Sequence, residues 1–266
     1  MLPLFRKEFP ASKDELTHAL REALRALFPK SNPLVDVRSR VSPYLDEIAI
    51  NMDGAEIDTL PSKSVPLVGE TKSAFDAAAV ALSARKISVR GVPMNLRAEA
   101  LDVVLHKGAD ENENAVLVLK AARDGHIVIS IAQLVLEEAI AKIGGRAAKR
   151  QGIVIEQVRL AMRARGRRSL CADIRVQARK LLLRAKIDIY GQLDIDEDFV
   201  AKLSQFKCKS DGAIGTLACN VLNPFMERLN GQTFPLKSLT LGEIQLRDMH
   251  VAVADTVEVT IDFGSA

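Results

Sequence analysis

The residues of this chain best equipped for chemistry are basic ones. Between Lys142 and Lys186 stand fourteen Lys or Arg against two acids, Glu156 and Asp173. The segment carries +12, so the rest of a chain of net charge +3 carries −9. Guanidinium groups bind carboxylates and phosphates through forked hydrogen bonds, so the chemistry on offer is attraction of anions. Arg163, Arg165, Arg167 and Arg168 are the best placed, because Gly166-Arg167-Arg168 reads as a turn between two strands and a hairpin tip can reach a charged surface. Near an anionic membrane each basic residue gains about 1 kcal/mol. A solvated sheet face that tolerates outward arginine is the plainer account of the same residues. A nucleic-acid surface would add stacking aromatics, and residues 142–186 contain none.

Other chemistries find less support. The histidines, His18, His106, His126 and His250, are scattered, and none stands at metal-ligand spacing from Cys or carboxylates. No glycine-rich phosphate loop, serine elbow or cysteine nucleophile context is present. Asp188, Asp194, Asp196 and Asp198 read as alternating strand positions running into an acidic loop, with a calcium site as the less economical reading. Three cysteines are too few for a disulfide scaffold. Cys208 and Cys219 could pair, but buried free thiols are the simpler expectation, and the sequence leaves the matter open.

The basic segment is not a disordered tail, because its charges alternate with apolar residues. Val158, Leu160, Met162 and Ala164 share one parity, and Arg159, Arg163 and Arg165 the other. A period of two means strands with one oily and one charged face. Three such strands are expected at about 153–165, 169–179 and 181–194. Leu170, Ala172, Ile174 and Val176 share a face of the second, and Leu181, Leu183, Ala185, Ile187 and Ile189 a face of the third.

Around them, Ser12 and Glu15 form a capping box that opens a helix through Phe28, stopped by Pro29, with Leu16, Leu20, Leu24 and Leu27 on one face. Extended segments follow at 33–41 and 44–52. Residues 61–72 read as a loop, and the alanine-rich 74–84 as a short helix. Strands are expected at 86–90, 95–106, 115–121 and 126–129, the last pair joined at Asp124-Gly125 by a tight hairpin. Ser130 reads as the cap of a helix to Ile143, ended by Gly144-Gly145. A further helix spans about 216–229, and Asn223-Pro224 predicts a kink or restart within it. Strands near 238–247 and 249–263 close the chain. Helix, glycine and long strand recur at 130–165 and again at 215–254, with residues 12–28 as a third instance of a helix leading into strands.

At 266 residues and 48% hydrophobic, the chain can bury a sizeable core. Aromatics are 4%, without Trp, which disfavours base or sugar stacking and suits contact with acyl chains. No stretch approaches the roughly 20 apolar residues that span a bilayer. Residues 1–7 lack an apolar run of signal-peptide length. An intracellular protein, or one from an envelope or plastid that has lost its leader, both fit, and the compartment stays open.

Several segments resemble the tubular lipid-binding (TULIP) superfamily, and within it the LmeA-like group of bacteria and plastids. They are the first helix with Val35–Arg38 and Leu45–Ile50, then Ala84–Val89, then Leu117–Ala121 with Gly125–Ser130 and Leu134–Leu136. The last is the terminal helix with Phe234–Leu236 and Leu239–Leu246. The resemblance covers most of residues 12–263, after an N-terminal extension of residues 1–11. It implies a single α+β domain, an elongated and highly curved antiparallel sheet wrapped around long amphipathic helices, with an apolar groove for lipid tails. Groove residues are then expected among Leu134, Ile140, Val158, Leu160, Met162, Ile174, Val176, Leu183, Ile187, Leu217, Val221 and Phe225, though each is also an ordinary core candidate. The basic strip and the charged loop 108–114 map onto no family motif. The expectation is a non-enzymatic lipid-binding or lipid-transfer protein, peripheral to an anionic membrane, with no cofactor beyond a bound lipid and no nucleic-acid partner. Protein partners are not specified. The other readings are a phosphatase-like enzyme acting on an envelope lipid, for which no residue carries the activity over, and a dry-cored scaffold for a protein partner.

Overall fold

In the computed structural model, residues 1–39, 41, 43–58, 66–149, 152–180, 183–236 and 244–265 are described. The protein is mostly β with three α-helices among those residues, an α+β arrangement of open sheets. It divides into two compact units. One comprises Met1–Ile129, Thr240–Met249 and Thr260–Ala266, the other Ser130–Leu239 and His250–Val259.

In the first unit, β1 (Leu2–Pro3) precedes helix α1 (Lys13–Leu27), and then come β2 (Leu34–Arg38), β3 (Tyr44–Asn51) and β4 (Glu56–Ile57). The long strands β5 (Leu67–Val89), β6 (Val92–Asp110) and β7 (Ala115–Ala132) follow. The chain ends with β13 (Gln245–Val253) and β14 (Thr256–Gly264), of which Gln245–Met249 and Thr260–Gly264 belong to this unit and His250–Val259 to the second. The sheet order is β13-β14-β7-β6-β5-β3-β2, with β1 on β7 and β4 on β5. The sheet is mixed rather than purely antiparallel: β3 and β4 run parallel to β5. That is possible because the chain between paired residues such as Tyr44 and Asp76 is long enough for a crossover.

The cap forms at Ser12, whose Oγ accepts from Glu15 N at 3.2 Å, while Glu15 Oε2 reaches one residue further back and accepts from Ala11 N at 2.9 Å. Leu16, Ala19, Leu20, Ala23 and Leu24 are buried, and Leu27 is half-buried beside them. The core holds twenty-five buried hydrophobic residues among those described, from Leu4 to Phe263.

Three expectations fail in this unit. The alanine-rich 74–84 is strand, not helix. It lies within β5 and pairs on one side with β3 and on the other with β6, so a ladder on both edges overrides helix propensity. The loop expected at 61–72 gives way to strand from Leu67, and residues 61–65 lie outside the described residues. Asp124-Gly125 is no hairpin; β7 runs straight through it. The glycine answers a different need. A Cβ at Gly125 would lie 2.2 Å from the ring of Phe263, so only glycine lets that ring lie on the strand.

In the second unit, α2 (Gln133–Lys149) leads into β8 (Val154–Gly166), β9 (Ser169–Lys180), β10 (Leu183–Ile195) and β11 (Val200–Asp211). Helix α3 (Gly212–Leu229) and the short β12 (Thr233–Pro235) complete it. The sheet order is β12-β11-β10-β9-β8. The three expected strands are found almost to the residue, although Leu181 lies outside the described residues. Both helices depart from expectation. Ser130 is in a strand, and α2 runs on through Gly144-Gly145 to Lys149. A Cβ at Gly144 would stand 3.1 Å from Ile155 Cδ1, so this glycine brings the helix close to β8 rather than ending it. Helix α3 is continuous across Pro224, with no restart at Asn223.

The strands expected at 238–247 and 249–263 are instead β13 and β14, which turn at 254–255; residues 238–243 lie outside the described ones. The repeat of helix and strand holds in chain order but not in packing. Helix α2 packs on β8, which follows it, whereas α3 packs on β10 and β11, which precede it. A disulfide between Cys208 on β11 and Cys219 on α3, with Cα atoms 5.6 Å apart, fixes that choice. Of the three thiols, Cys171 is free and buried.

Gly125→Ala should destabilise the protein by about 1–3 kcal/mol, because the added methyl forces the Phe263 ring off the strand. Urea denaturation checks this, and an unchanged midpoint would show that the ring has room to move.

Candidate functional site

The two faces of the second unit's sheet follow from cross-strand register. Val158 pairs with Val176, which pairs with Ile187; Leu160 pairs with Ile174, then Ile189, then Cys208. These rows form the apolar face. The rows beside them are Arg159–Arg175–Asp188–Lys209 and Ala161–Asp173–Tyr190–Lys207, which form the charged face. Two bulges keep the faces consistent. One between Ile155 and Gln157 returns Ile155 to the side of Val158. The other lies opposite Tyr190 and Gln192, where Gln205 adopts φ 56° and the parity of β11 changes.

On the apolar side, Ile140 and Ala141 of α2 and Ala218 and Cys219 of α3 pack against Ile155, Val158, Ile174, Val176, Ile187, Ile189 and Cys208. Only Val158, Val176, Ile187 and Cys219 of that described cluster are fully buried. The twelve expected groove residues therefore separate. Val158, Leu160, Val176 and Ile187 are buried, whereas Ile140, Met162 and Ile174 are half-buried. Leu134, Leu183, Leu217 and Phe225 are more than half exposed, as is Ile143, which sequence reasoning passed over. The side chain of Val221 lies outside the described set.

Helix α2 also closes the open edge of β8. Glu137 Oε1 accepts from Leu160 N at 2.7 Å, and Gln133 Oε1 from Met162 N at 3.3 Å. Side chains thus take edge N–H groups that would otherwise invite another strand.

The basic residues are mostly engaged across strands. Arg163 Nη2 meets Asp173 at 2.5 Å, and Arg165 donates to Gln192 Oε1 at 2.7 Å. Arg168 stands 4.9 Å above the Phe199 ring. Arg167 is exposed at the turn, and its carbonyl accepts from Val251 N at 2.8 Å. The structure brings Arg163, Arg165, Arg167 and Arg168 to one end of the β8–β9 hairpin, as the spacing implied. It also gives three of these side chains partners within the protein. Asp173 and Asp188 hold the guanidinium groups of Arg163 and Arg175 above their ordinary pKa.

Three of the four aspartates weighed for calcium are engaged by other groups of the protein. Asp188 accepts from Arg175 Nε at 2.7 Å, and Asp196 from Val200 N at 2.8 Å. Asp194 accepts from Ser169 Oγ at 2.6 Å and Gln192 Nε2 at 2.8 Å. Among the described residues no group of three or more His, Cys, Asp or Glu could hold a metal ion, and no helix is long and apolar enough to cross a membrane.

A cleft of about 690 Å³ is lined by Arg159, Arg175, Asp188, Tyr190, Lys207 and Lys209 of the charged rows and also by Leu160, Ile174 and Ile189 of the apolar rows. Lys207 and Lys209 lie beyond the basic strip and were missed. Their signal was the alternation with Phe206, Cys208 and Ser210, which continues the two-faced pattern onto a fourth strand. No protein-family model, no curated protein and no solved structure matches the chain.

Partial burial pushes the Asp194 carboxyl up. Hydrogen bonds from Ser169, Gln192 and Ser204, with the charge of Arg165, outweigh this and leave it below its usual value. A lowered folded-state pKa adds stability that is present above the unfolded carboxylate pKa of about 3.9 and is lost as pH falls through the lower folded value. Urea midpoints measured from pH 6 to pH 2 should therefore show an acid-side loss that Asp194→Asn reduces. An identical pH profile in the variant would mean that the carboxylate is not preferentially stabilised.

Proposed function

We propose that the protein is a lipid-binding or lipid-transfer protein of the tubular lipid-binding type, LmeA-like in its overall plan. Lipid tails occupy apolar surface on the second unit and complete its core. One observation carries this reading. A five-stranded sheet and two helices of 17 and 18 residues bury a cluster of four side chains among those described, while Leu134, Ile143, Leu183, Leu217 and Phe225 stay more than half exposed. Large apolar residues left exposed on both helices and on β10 offer surface that an apolar partner can cover. An acyl chain suits it, because burial contributes about 0.8 kcal/mol per methylene and needs no directional contact. The aliphatic, Trp-free composition and the segments that resemble the family support the same reading.

The basic hairpin end supplies the second part of the proposal, docking on anionic membrane. Arg165 and Arg167 stand exposed there, and the segment carries a large positive excess. Docking of this kind weakens as salt shortens the Debye length, which is about 10 Å at 0.1 M.

Native mass spectrometry of the gently purified protein, with organic extraction, should detect a co-purifying lipid near one-to-one ratio. Leu217→Asp with Phe225→Asp should lower that loading several-fold while leaving the circular dichroism spectrum and melting unchanged, since both side chains are exposed. A clean apo mass, with no uptake from offered vesicles, would instead favour a scaffold that binds a protein.

Replacing Arg165, Arg167 and Arg168 together by Glu should weaken co-sedimentation with anionic vesicles by at least tenfold at low salt. Unaltered co-sedimentation by the folded variant would refute docking through this end.

A further inference from the structure

The charged cleft of the second unit holds more positive charge than the protein neutralises, and the excess is localised. Its carboxylates are already taken: Arg175 Nε meets Asp188 at 2.7 Å, Arg163 meets Asp173 at 2.5 Å, and Arg159 lies 3.8 Å from Glu137. Lys207 and Lys209 have no ion-pair or hydrogen-bond partner among the described residues. They sit two residues apart on β11 and so point to the same face, about 7 Å apart along the strand. Tyr190 is directly opposite Lys207, and Asp188, held by Arg175, is directly opposite Lys209. Once the pairs cancel, Lys207, Lys209 and Tyr190 are left among the residues that line a pocket of about 690 Å³.

We infer that this cleft is a binding site for a phosphate monoester. Such a group carries about −1.5 to −2 charge at pH 7 and offers three strong acceptor oxygens, which matches two ammonium groups and a hydroxyl donor. A carboxylate would cancel only one of the two lysines. The neighbouring guanidinium groups of Arg159 and Arg175 raise the local potential without being required as ligands. Their carboxylate partners exclude a second full anion by like-charge repulsion, so one phosphate group fits and a polyanionic strand does not. Both lysines and Tyr190 are on the opposite parity from Leu160, Ile174 and Ile189, the apolar-row residues that also line the cleft.

The phosphate group could belong to a soluble ester or to the head of a lipid such as phosphatidic acid. Titrations of the full chain with inorganic phosphate, followed by amide chemical shifts of β10 and β11, address the first. Flotation with vesicles of phosphatidylcholine containing phosphatidic acid addresses the second. We expect saturable phosphate binding, weakened about tenfold by Lys207→Ala or by Lys209→Ala and about a hundredfold by both. The control Lys13→Ala and the pair Leu217→Asp, Phe225→Asp should leave it unchanged. Lysine-dependent flotation without binding of free phosphate would also uphold the site and identify a lipid head as its ligand. If neither probe binds in a manner that depends on Lys207 and Lys209, while both variants melt as the parent does, the inference is overturned.

Discussion

A strand that alternates grease with charge can satisfy both only by burying one face and wetting the other. The second unit is built on that constraint. Val158, Leu160, Val176 and Ile187 fall in register on one side, and helices α2 and α3 must come to that side because no other surface of the sheet would accept them. The opposite side then has to hold a large excess of basic residues close together. A one-residue slip would exchange the two faces, so the register is strongly specified. Where the sequence spacing does slip, at Glu156 and Gln205, a bulge absorbs the extra residue and preserves the sides.

The charged face solves its own repulsion by distribution. Arg159 stands directly opposite Arg175, an unfavourable neighbour pair. Asp188 on the next strand and Glu137 on the helix lie on either side of them, so each guanidinium has an acid within 4 Å. Glu156 serves Arg179 at 3.0 Å and Arg184 at 3.6 Å in the same way. Exposed pairs of this kind contribute about 0–1 kcal/mol each, so they do not hold the unit together. Their role is to make a strongly basic sheet tolerable, and they reach their limit at β11, where Lys207 and Lys209 have no acid left to meet.

Cohesion comes from elsewhere, and it is unequal. The first unit has a deep aliphatic core closed by α1 and by the Phe263 ring lying on Gly125. The second has four fully buried residues in its described cluster and a disulfide closing a short loop between β11 and α3. Such a bond stabilises by about 2–4 kcal/mol, chiefly by restricting the unfolded chain, and persists in oxidising surroundings. A unit held by a covalent staple can keep large apolar side chains on its outside, because its fold does not depend on burying them.

Local pattern was enough to read much of this. The three strands of 153–194, their two faces, the capping box of α1 and the basic turn at Arg167-Arg168 all follow from spacing within a few residues, which is the range over which period and capping act. The alternation on β11 carried Lys207 and Lys209 in the same way, hidden by a parity change at Gln205. What the sequence could not decide was set by contacts between distant residues. The alanine-rich 74–84 became strand because two neighbours hydrogen-bond it, Gly125 serves a ring 138 positions further on, and Gly144 serves a side chain on β8. Cys208 and Cys219 pair because α3 folds back on the strand before it rather than forward onto the strand after it. Which strands adjoin fixes which charges cancel, and a sum over neighbours cannot be read along a line. Alternation along the chain makes one face of the sheet basic; the pairing of strands sets where on that face positive charge is left over.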